Sequence, residues 1–74
     1  MNTIKRAMKR KGISLVKLNG KLLQDYNVNI SPSSLSARYV RRDTCGKGEK
    51  WEKLIACLRE YGIYYKLDFG WIAE

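Results

Sequence analysis

The amino-acid sequence predicts a small all-α domain of four helices, and three observations support this fold class. Apolar residues recur at helical spacing in four segments. Each segment follows a capping residue or a glycine, which are typical helix boundaries. The chain has 74 residues, of which 45% are hydrophobic, and this suits one folded core rather than a disordered segment. We therefore expect residues 1–74 to form a single domain.

The first helix is predicted over residues 3–11. Asn2 or Thr3 supplies its N-cap, and Gly12 follows at the position where a left-handed conformation ends a helix. The apolar stripe consists of Ile4, Ala7 and Met8.

The second helix is predicted from the N-cap Ser14 to about Asp25. Its apolar stripe consists of Leu15, Leu18, Leu22 and Tyr26, and it is widened by Val16 and Leu23. Gly20 lies in its middle, where a glycine costs roughly 1 kcal/mol relative to alanine. We expect this glycine to allow another helix to pass close by.

The third helix is predicted to start at Ser31-Pro32, a capping hydroxyl followed by proline at the first helical position. It is expected to run to about Arg42, with Leu35 and Tyr39 facing the core. The opposite face carries short polar residues in its first turn and an arginine further along. A fourth helix is predicted from about Glu49 to Tyr61.

Residues 63–69, at the start of the C-terminal segment 63–74, alternate apolar and polar side chains with the period of a strand. A lone strand has no partner in an all-helical domain, so this segment either packs as an apolar tail on its own core or forms an edge strand that pairs with a second copy. We favour the homodimer. The residues expected to form its interface are Tyr65, Leu67, Phe69 and Trp71.

Charge is distributed unevenly along the chain. Lys and Arg number 15 against 7 Asp and Glu, for a net charge of +8. Residues 1–50 contain 12 basic and 3 acidic residues (12 − 3 = +9), and residues 51–74 contain 3 and 4 (3 − 4 = −1). A solubilising surface would not need this asymmetry, so we interpret it as a face that binds a polyanion.

The sequence gives little support for an enzyme or a metal-binding protein. The chain has no histidine, only two cysteines twelve positions apart, and no phosphate-binding glycine loop around Gly46-Lys47-Gly48. We predict neither an enzyme nor a metal or cofactor site, and no small-molecule substrate. Reduced thiols and the lack of a signal-peptide or membrane-span pattern predict a cytoplasmic, nucleoid-associated protein that does not bind membranes.

The order of these segments resembles the helix-turn-helix domains of the Cro and phage-repressor class (XRE-type). Ile13-Ser14-Leu15 resembles the entry to the second helix, Ile30-Ser31 the step before the recognition helix, and Gly62-Ile63 the end of the closing helix. Gly20 stands near the small residue that lets the two helices of the motif cross. The glutamine that typically opens the second helix is absent. The resemblance covers residues 4–63 and implies a four-helix Cro-like fold that binds double-stranded DNA, typically as a repressor.

The residue types agree with this implication. A helix in the major groove needs short polar residues in its first turn and a long basic one a turn later, where an arginine can read a guanine edge. The predicted base-contacting residues are Ser33, Ser34, Ala37 and Arg38, and the predicted phosphate-contacting residues are Lys17, Lys21, Arg41, Arg42 and Lys47. The backbone N–H groups at residues 31–34 could also bind a phosphate. The alternative interpretation of Arg38 and Arg41 is that they lie on a helix face that contacts only solvent.

The first-helix cations have two interpretations. Lys5, Arg6, Lys9 and Arg10 are either further phosphate contacts or the solvated surface of the helix. Two other functions stay open: a protein-binding module that docks a partner through its aromatic tail, and RNA binding. The separation of aromatic from basic residues weighs against RNA.

Overall fold

The computed structural model describes residues 2–74, and within them four helices surround one core, with a two-stranded antiparallel sheet at the C-terminal end. The third of these helices begins with an α-helical turn and continues directly as a π-helix. Together these two parts are called the third helix below. The elements are α1 (Ile4–Lys11), α2 (Leu15–Tyr26), α3 (Pro32–Ser34) with its π-helical continuation (Leu35–Val40), α4 (Glu49–Glu60), β1 (Ile63–Lys66) and β2 (Gly70–Ala73).

Side-chain caps start the first three helices at the predicted positions. In each, a hydroxyl oxygen accepts a hydrogen bond from the backbone N–H three residues later, an interaction worth about 1 kcal/mol. The accepting hydroxyls belong to Thr3, Ser14 and Ser31. Gly12 ends α1 with a φ of 68°, which confirms it as the left-handed terminator, and Asn27 does the same for α2 with a φ of 55°.

Every helix and both strands contribute to one apolar core. Burying each large side chain contributes about 1.5–3 kcal/mol, and this burial is the main force that holds a domain of this size together. The side chains that are almost completely buried are Trp71, Ile4, Leu18, Leu22, Leu35, Leu54, Leu58, Ile63 and Cys57. The centres of the predicted helical stripes therefore face inward, as expected. The prediction that Val16 and Leu23 widen the stripe of the second helix is wrong, because both side chains are exposed to solvent.

The third helix differs from its prediction in length and in type. It ends at Val40 rather than Arg42, and from Leu35 onward its turns are π-helical: the Arg41 N–H donates to the Ser36 carbonyl at 3.2 Å. The two fully inward residues of this segment, Leu35 and Val40, are five positions apart. A helix with hydrogen bonds between residues five apart places both on the core side, whereas an α-helix would turn one of them away.

Gly20 does not serve a close helix crossing, so that expectation was wrong. A methyl group built at its Cα would have no atom within 4 Å apart from its own helix and chain neighbours. The helices of this part of the core are held apart by full-sized side chains, including Leu18 and Leu22.

The C-terminal segment finds a strand partner within the chain, contrary to the prediction of a lone strand. β1 turns back and pairs with β2 in antiparallel register, with Tyr65 opposite Trp71. The Trp71 ring is 1% exposed and stacks on Trp51 with 6.4 Å between ring centroids. The outer edge of β2 is bonded to Asn2, which accepts from the Trp71 N–H at 2.9 Å.

The fold class is thus confirmed in part. Residues 2–74 form a mostly helical domain with four helices, and a two-stranded hairpin is added to them. The finer prediction, a Cro-like arrangement of these helices, stays a prediction.

Candidate nucleic-acid interface

The outer face of the third helix carries the predicted base-contacting residues. Ser33, Ala37 and Arg38 are exposed, and Ser34 is half-buried. No acidic side chain occurs between Pro32 and Arg42. This face therefore presents a hydroxyl, a methyl group and a guanidinium to the solvent, without a negative charge on the same helix.

The first turn of this helix is less available to a phosphate than we expected. The Ser34 N–H donates to its own cap, the Ser31 hydroxyl, at 3.3 Å, and the Leu35 N–H donates to the Ser31 carbonyl at 2.9 Å. Because these amides already have acceptors, the expectation that the amides at residues 31–34 bind a phosphate is wrong for Ser34.

Predicted phosphate-contacting residues continue from the end of this helix. Arg41 and Arg42 follow it directly and are exposed, as is Lys47 in the loop before α4. The main chain here is anchored, since the Ile4 N–H donates to the Arg42 carbonyl at 3.4 Å. The two arginine side chains thus extend from a backbone that is fixed against α1.

The outer face of α1 is strongly basic and adjoins the third helix. Lys5, Arg6, Lys9 and Arg10 are all exposed. Lys5 and Lys9 line a surface groove that Ser36 of the third helix also lines. The cations of α1 and the outer face of the third helix therefore lie next to each other.

Lys21 does not belong to this basic surface. Its ammonium nitrogen lies 2.8 Å from a carboxylate oxygen of Asp25 and 3.5 Å from one of Glu60. The hydrogen bond to Asp25, together with the charge of Glu60, raises the pKa of Lys21 above its ordinary value. Lys21 is therefore less available to a phosphate than we expected, because two carboxylates already lie beside its charge, and its contact with phosphate stays a prediction.

Lys17, one turn earlier on α2, keeps a free charge. It is exposed, and its ammonium lies 5.8 Å from the centroid of the Tyr61 ring. This cation–π contact leaves the ammonium open to an anion on its solvent side. Lys17 therefore stays a predicted phosphate contact.

The salt bridges of the described residues lie away from α1 and the third helix. The salt bridges within residues 2–74 are Lys21–Asp25, Lys21–Glu60 and Lys53–Glu49, all on α2 and α4. Neither α1 nor the third helix contains an acidic residue. Lys11 at the end of α1 donates to the main-chain oxygen of Glu74, and the other exposed cations of these two helices form no salt bridge in the described part of the chain.

Comparisons with protein-family models, curated proteins and solved structures gave no match.

The predicted dimer residues fall into two groups. Trp71 is buried in the core of its own chain, and the Tyr65 ring packs on it with 5.2 Å between centroids. The prediction that Trp71 forms an intermolecular contact is therefore wrong. Leu67 and Phe69 lie at the turn of the hairpin and are 81% and 59% exposed, so they stay available to a partner.

The described residues can be compared with the requirements of a metal site and of a reactive thiol. Residues 2–74 contain no cluster of three His, Cys, Asp or Glu side chains suited to a metal ion. Both cysteines are free thiols, and burial raises the pKa of Cys57 to about 11 and that of Cys45 in the same direction. None of the helices in this part of the chain has the length and apolar character needed to cross a bilayer.

Two features of the site were missed in the sequence. Ser36 was assigned to neither face of the third helix, because only the π-helical turns bring it to the groove beside α1. The Lys21–Asp25 pair, by contrast, is spaced i,i+4 on α2, and this spacing was a visible signal of an ion pair.

Proposed function

We propose that this protein binds double-stranded DNA in a sequence-specific manner, as a transcriptional repressor of phage, plasmid or bacterial type. The observation that carries the proposal is a set of exposed cations without salt-bridge partners. Apart from Lys11, the cations of α1, of the third helix and of the segment that follows it are exposed and form no salt bridge within the described residues, where the salt bridges lie on α2 and α4. A surface of this kind gains affinity for a polyphosphate through release of counterions.

The third helix is the proposed element in the major groove. Arg38 is the residue proposed to read a guanine edge with two hydrogen bonds, and the Ala37 methyl is suited to contact a thymine methyl. Ser33 and Ser34 supply short polar groups in the first turn. The phosphates on either side would be held by Arg41, Arg42, Lys17 and Lys47, with Arg6 and Arg10 of α1 extending the same basic surface.

A homodimer is part of the proposal, since two copies could read successive major grooves about 34 Å apart. The outer edge of β2 is bonded to Asn2, which leaves the edge of β1 as the one suited to strand pairing between copies. The exposed side chains of Leu67 and Phe69 at the hairpin turn would add apolar contact.

The test is a selection from random double-stranded DNA followed by fluorescence anisotropy across a salt series. We expect an enriched sequence motif and an affinity that falls steeply with salt. A palindromic motif would support the dimer. A steep salt dependence with no enriched motif would reduce the proposal to non-specific binding, and no binding even at low salt would reject it.

A second candidate is a protein-binding module that docks a partner through the hairpin. The specific observation is the turn of that hairpin, where Leu67 and Phe69 remain exposed although the neighbouring Trp71 is buried. Exposed apolar side chains that lie together can mark a protein contact site, whereas isolated ones are normal on a protein surface. Absence of DNA binding in the salt series, with a soluble monomer in sedimentation, would favour this candidate.

A further inference from the structure

Six of the seven serine and threonine hydroxyls of the chain belong to helices or to their caps. Those that cap a helix are Thr3, Ser14 and Ser31. Those that lie within the third helix are Ser33, Ser34 and Ser36. The seventh, Thr44, lies in the connection between the third helix and α4, and it is exposed. It is therefore the hydroxyl that an enzyme can reach without opening a helix.

The segment around Thr44 is held at both ends and is irregular between them. The Arg42 carbonyl accepts from the Ile4 N–H at 3.4 Å, and the Gly48 carbonyl accepts from the Glu52 N–H at 3.0 Å. Between these two points, residues 43–47 form no hydrogen bond between backbone groups of the described chain. A segment of this kind opens locally at a low cost in free energy, so it can adopt the extended form that an enzyme cleft binds.

Two arginines precede Thr44 by three and two positions. Arg41 and Arg42 are both exposed, and neither forms a salt bridge within residues 2–74. A guanidinium group binds a carboxylate with two parallel hydrogen bonds, and protein kinases select substrates by such charge patterns beside the acceptor hydroxyl. None of the other six hydroxyls follows two arginines at these positions. The sequence and the structure thus select the same residue.

We propose that Thr44 is phosphorylated by a protein kinase that selects arginines before its acceptor, and that the phosphate weakens DNA binding by the adjacent basic surface. In this reaction the Thr44 hydroxyl oxygen attacks the γ-phosphorus of ATP. The bond between that phosphorus and the bridging oxygen breaks, ADP leaves, and the hydroxyl proton passes to a base of the kinase.

The product places a new negative charge beside two proposed DNA contacts. A phosphothreonine carries about −1.5 to −2 charges at pH 7 and has three strong acceptor oxygens. At Thr44 it repels the DNA backbone and competes with it for the guanidinium groups of Arg41 and Arg42. This regulatory half rests on the proposed function, whereas the modification itself does not depend on DNA binding.

The first experiment treats the full chain with ATP and the catalytic subunit of cyclic-AMP-dependent protein kinase, and locates the phosphate by tandem mass spectrometry. We expect one phosphate, on Thr44, and Thr44→Ser should accept it while Thr44→Ala should not. Arg41→Ala/Arg42→Ala should slow the reaction about tenfold or more, because the kinase loses both guanidinium groups. Arg59→Ala/Lys66→Ala removes two exposed cations of other elements and is the matched control, with an expected change of less than about twofold. Phosphate on another residue, or an arginine variant that reacts as fast as the wild type, would overturn the site.

The second experiment compares DNA binding before and after the kinase treatment by fluorescence anisotropy across a salt series. The phosphorylated chain should bind about tenfold more weakly or worse, with a salt slope lower by about two, because two phosphate contacts are lost. Thr44→Ala taken through the same treatment is the matched control and should keep the affinity of the untreated protein. Equal affinity of the wild type before and after treatment would overturn the regulatory half. If the untreated chain does not bind DNA at all, the proposed function and its regulation both fail, while the mass spectrum decides the modification independently.

Discussion

The ammonium nitrogen of Lys21 lies 3.5 Å from a carboxylate oxygen of Glu60, and this contact joins α2 to the end of α4. The same carboxylate accepts a hydrogen bond from the hydroxyl of Tyr26, five residues after Lys21. Lys21 is also paired with Asp25. Glu60 is therefore the common partner of two α2 side chains, one of which is a lysine of the predicted DNA-binding set.

Replacing Glu60 should change how Tyr26 titrates. The hydrogen bond to Glu60 raises the pKa of Tyr26 from 10.0 to about 12. Glu60→Gln should bring this pKa back toward 10, which can be measured from the ζ-carbon signal of labelled tyrosine during an alkaline titration. Glu52→Gln, on an exposed part of α4, is the control and should leave it unchanged.

The stability difference between the wild type and Glu60→Gln should also depend on pH. Because the folded pKa of Tyr26 is the higher one, its contribution is complete below pH 10 and is lost as the pH rises through about 12. Denaturant unfolding at several pH values should show the difference shrinking in that window. A difference that grows there would contradict the assigned hydrogen bond.

Replacing each of two glycines by alanine should change the stability of the protein in opposite directions. Gly20 lies within α2 with free space around it, so Gly20→Ala should stabilise the protein by about 0.5–1 kcal/mol. Gly70 has a φ of 79°, and a methyl group there would lie 2.5 Å from the Asn2 carbonyl oxygen. Gly70→Ala should destabilise the folded protein by roughly 3 kcal/mol, because backbone atoms must move to make room for the methyl group. Chemical denaturation of both variants tests this, and equal effects would refute it.

The helix caps and the apolar stripes could be predicted because they depend on local sequence. Ser14 and Ser31 start helices through hydrogen bonds to residues three positions later, and such contacts need no knowledge of the fold. The π-helical turns could not be predicted in the same way. They follow from the need to bury both Leu35 and Val40 against residues of other elements.

The C-terminal hairpin was missed for a related reason. The alternation at residues 63–69 indicated one strand, but the second strand is only four residues long, Gly70–Ala73, and begins at a glycine with positive φ. Its stability comes from the burial of Trp71 and the bonds to Asn2, which are contacts across the whole length of the chain. The basic face of the candidate site could be predicted from the composition. The pairing of Lys21 with Glu60 could not, because it depends on how α2 packs against α4.

Trp71 should be a main determinant of stability. It is 1% exposed, so Trp71→Ala should cost about 3–5 kcal/mol in the free energy of unfolding. Trp71→Phe should cost less. The indole N–H of Trp71 has no hydrogen-bond acceptor within residues 2–74, so its removal breaks no hydrogen bond. Phe69→Ala at the exposed turn is the control, with an expected change within about 0.5 kcal/mol. Similar losses for Trp71→Ala and Phe69→Ala would contradict the hairpin packing.

The two lysines of α2 should differ in their effect on DNA. Lys17→Ala removes an exposed charge and should lower affinity for all sequences while reducing the salt slope by about one. Lys21→Ala removes a charge that carboxylates already neutralise, so the salt slope should stay the same. Anisotropy at several salt concentrations measures both. A larger effect from Lys21 than from Lys17 would show that the carboxylates release it when DNA binds.

Variants of Arg38 and Arg41 should distinguish base recognition from phosphate binding. If the third helix lies in the major groove, Arg38→Ala should cost about 1–3 kcal/mol at one base pair and remove the preference at that position. Arg41→Ala should weaken selected and scrambled duplexes equally, since a phosphate contact carries no sequence information. Competition binding with single-base-pair variants of the selected duplex measures both effects. If Arg38→Ala also weakens all duplexes alike, the outer face of the third helix contacts only the backbone, and the element that reads the bases must be sought elsewhere on the basic surface.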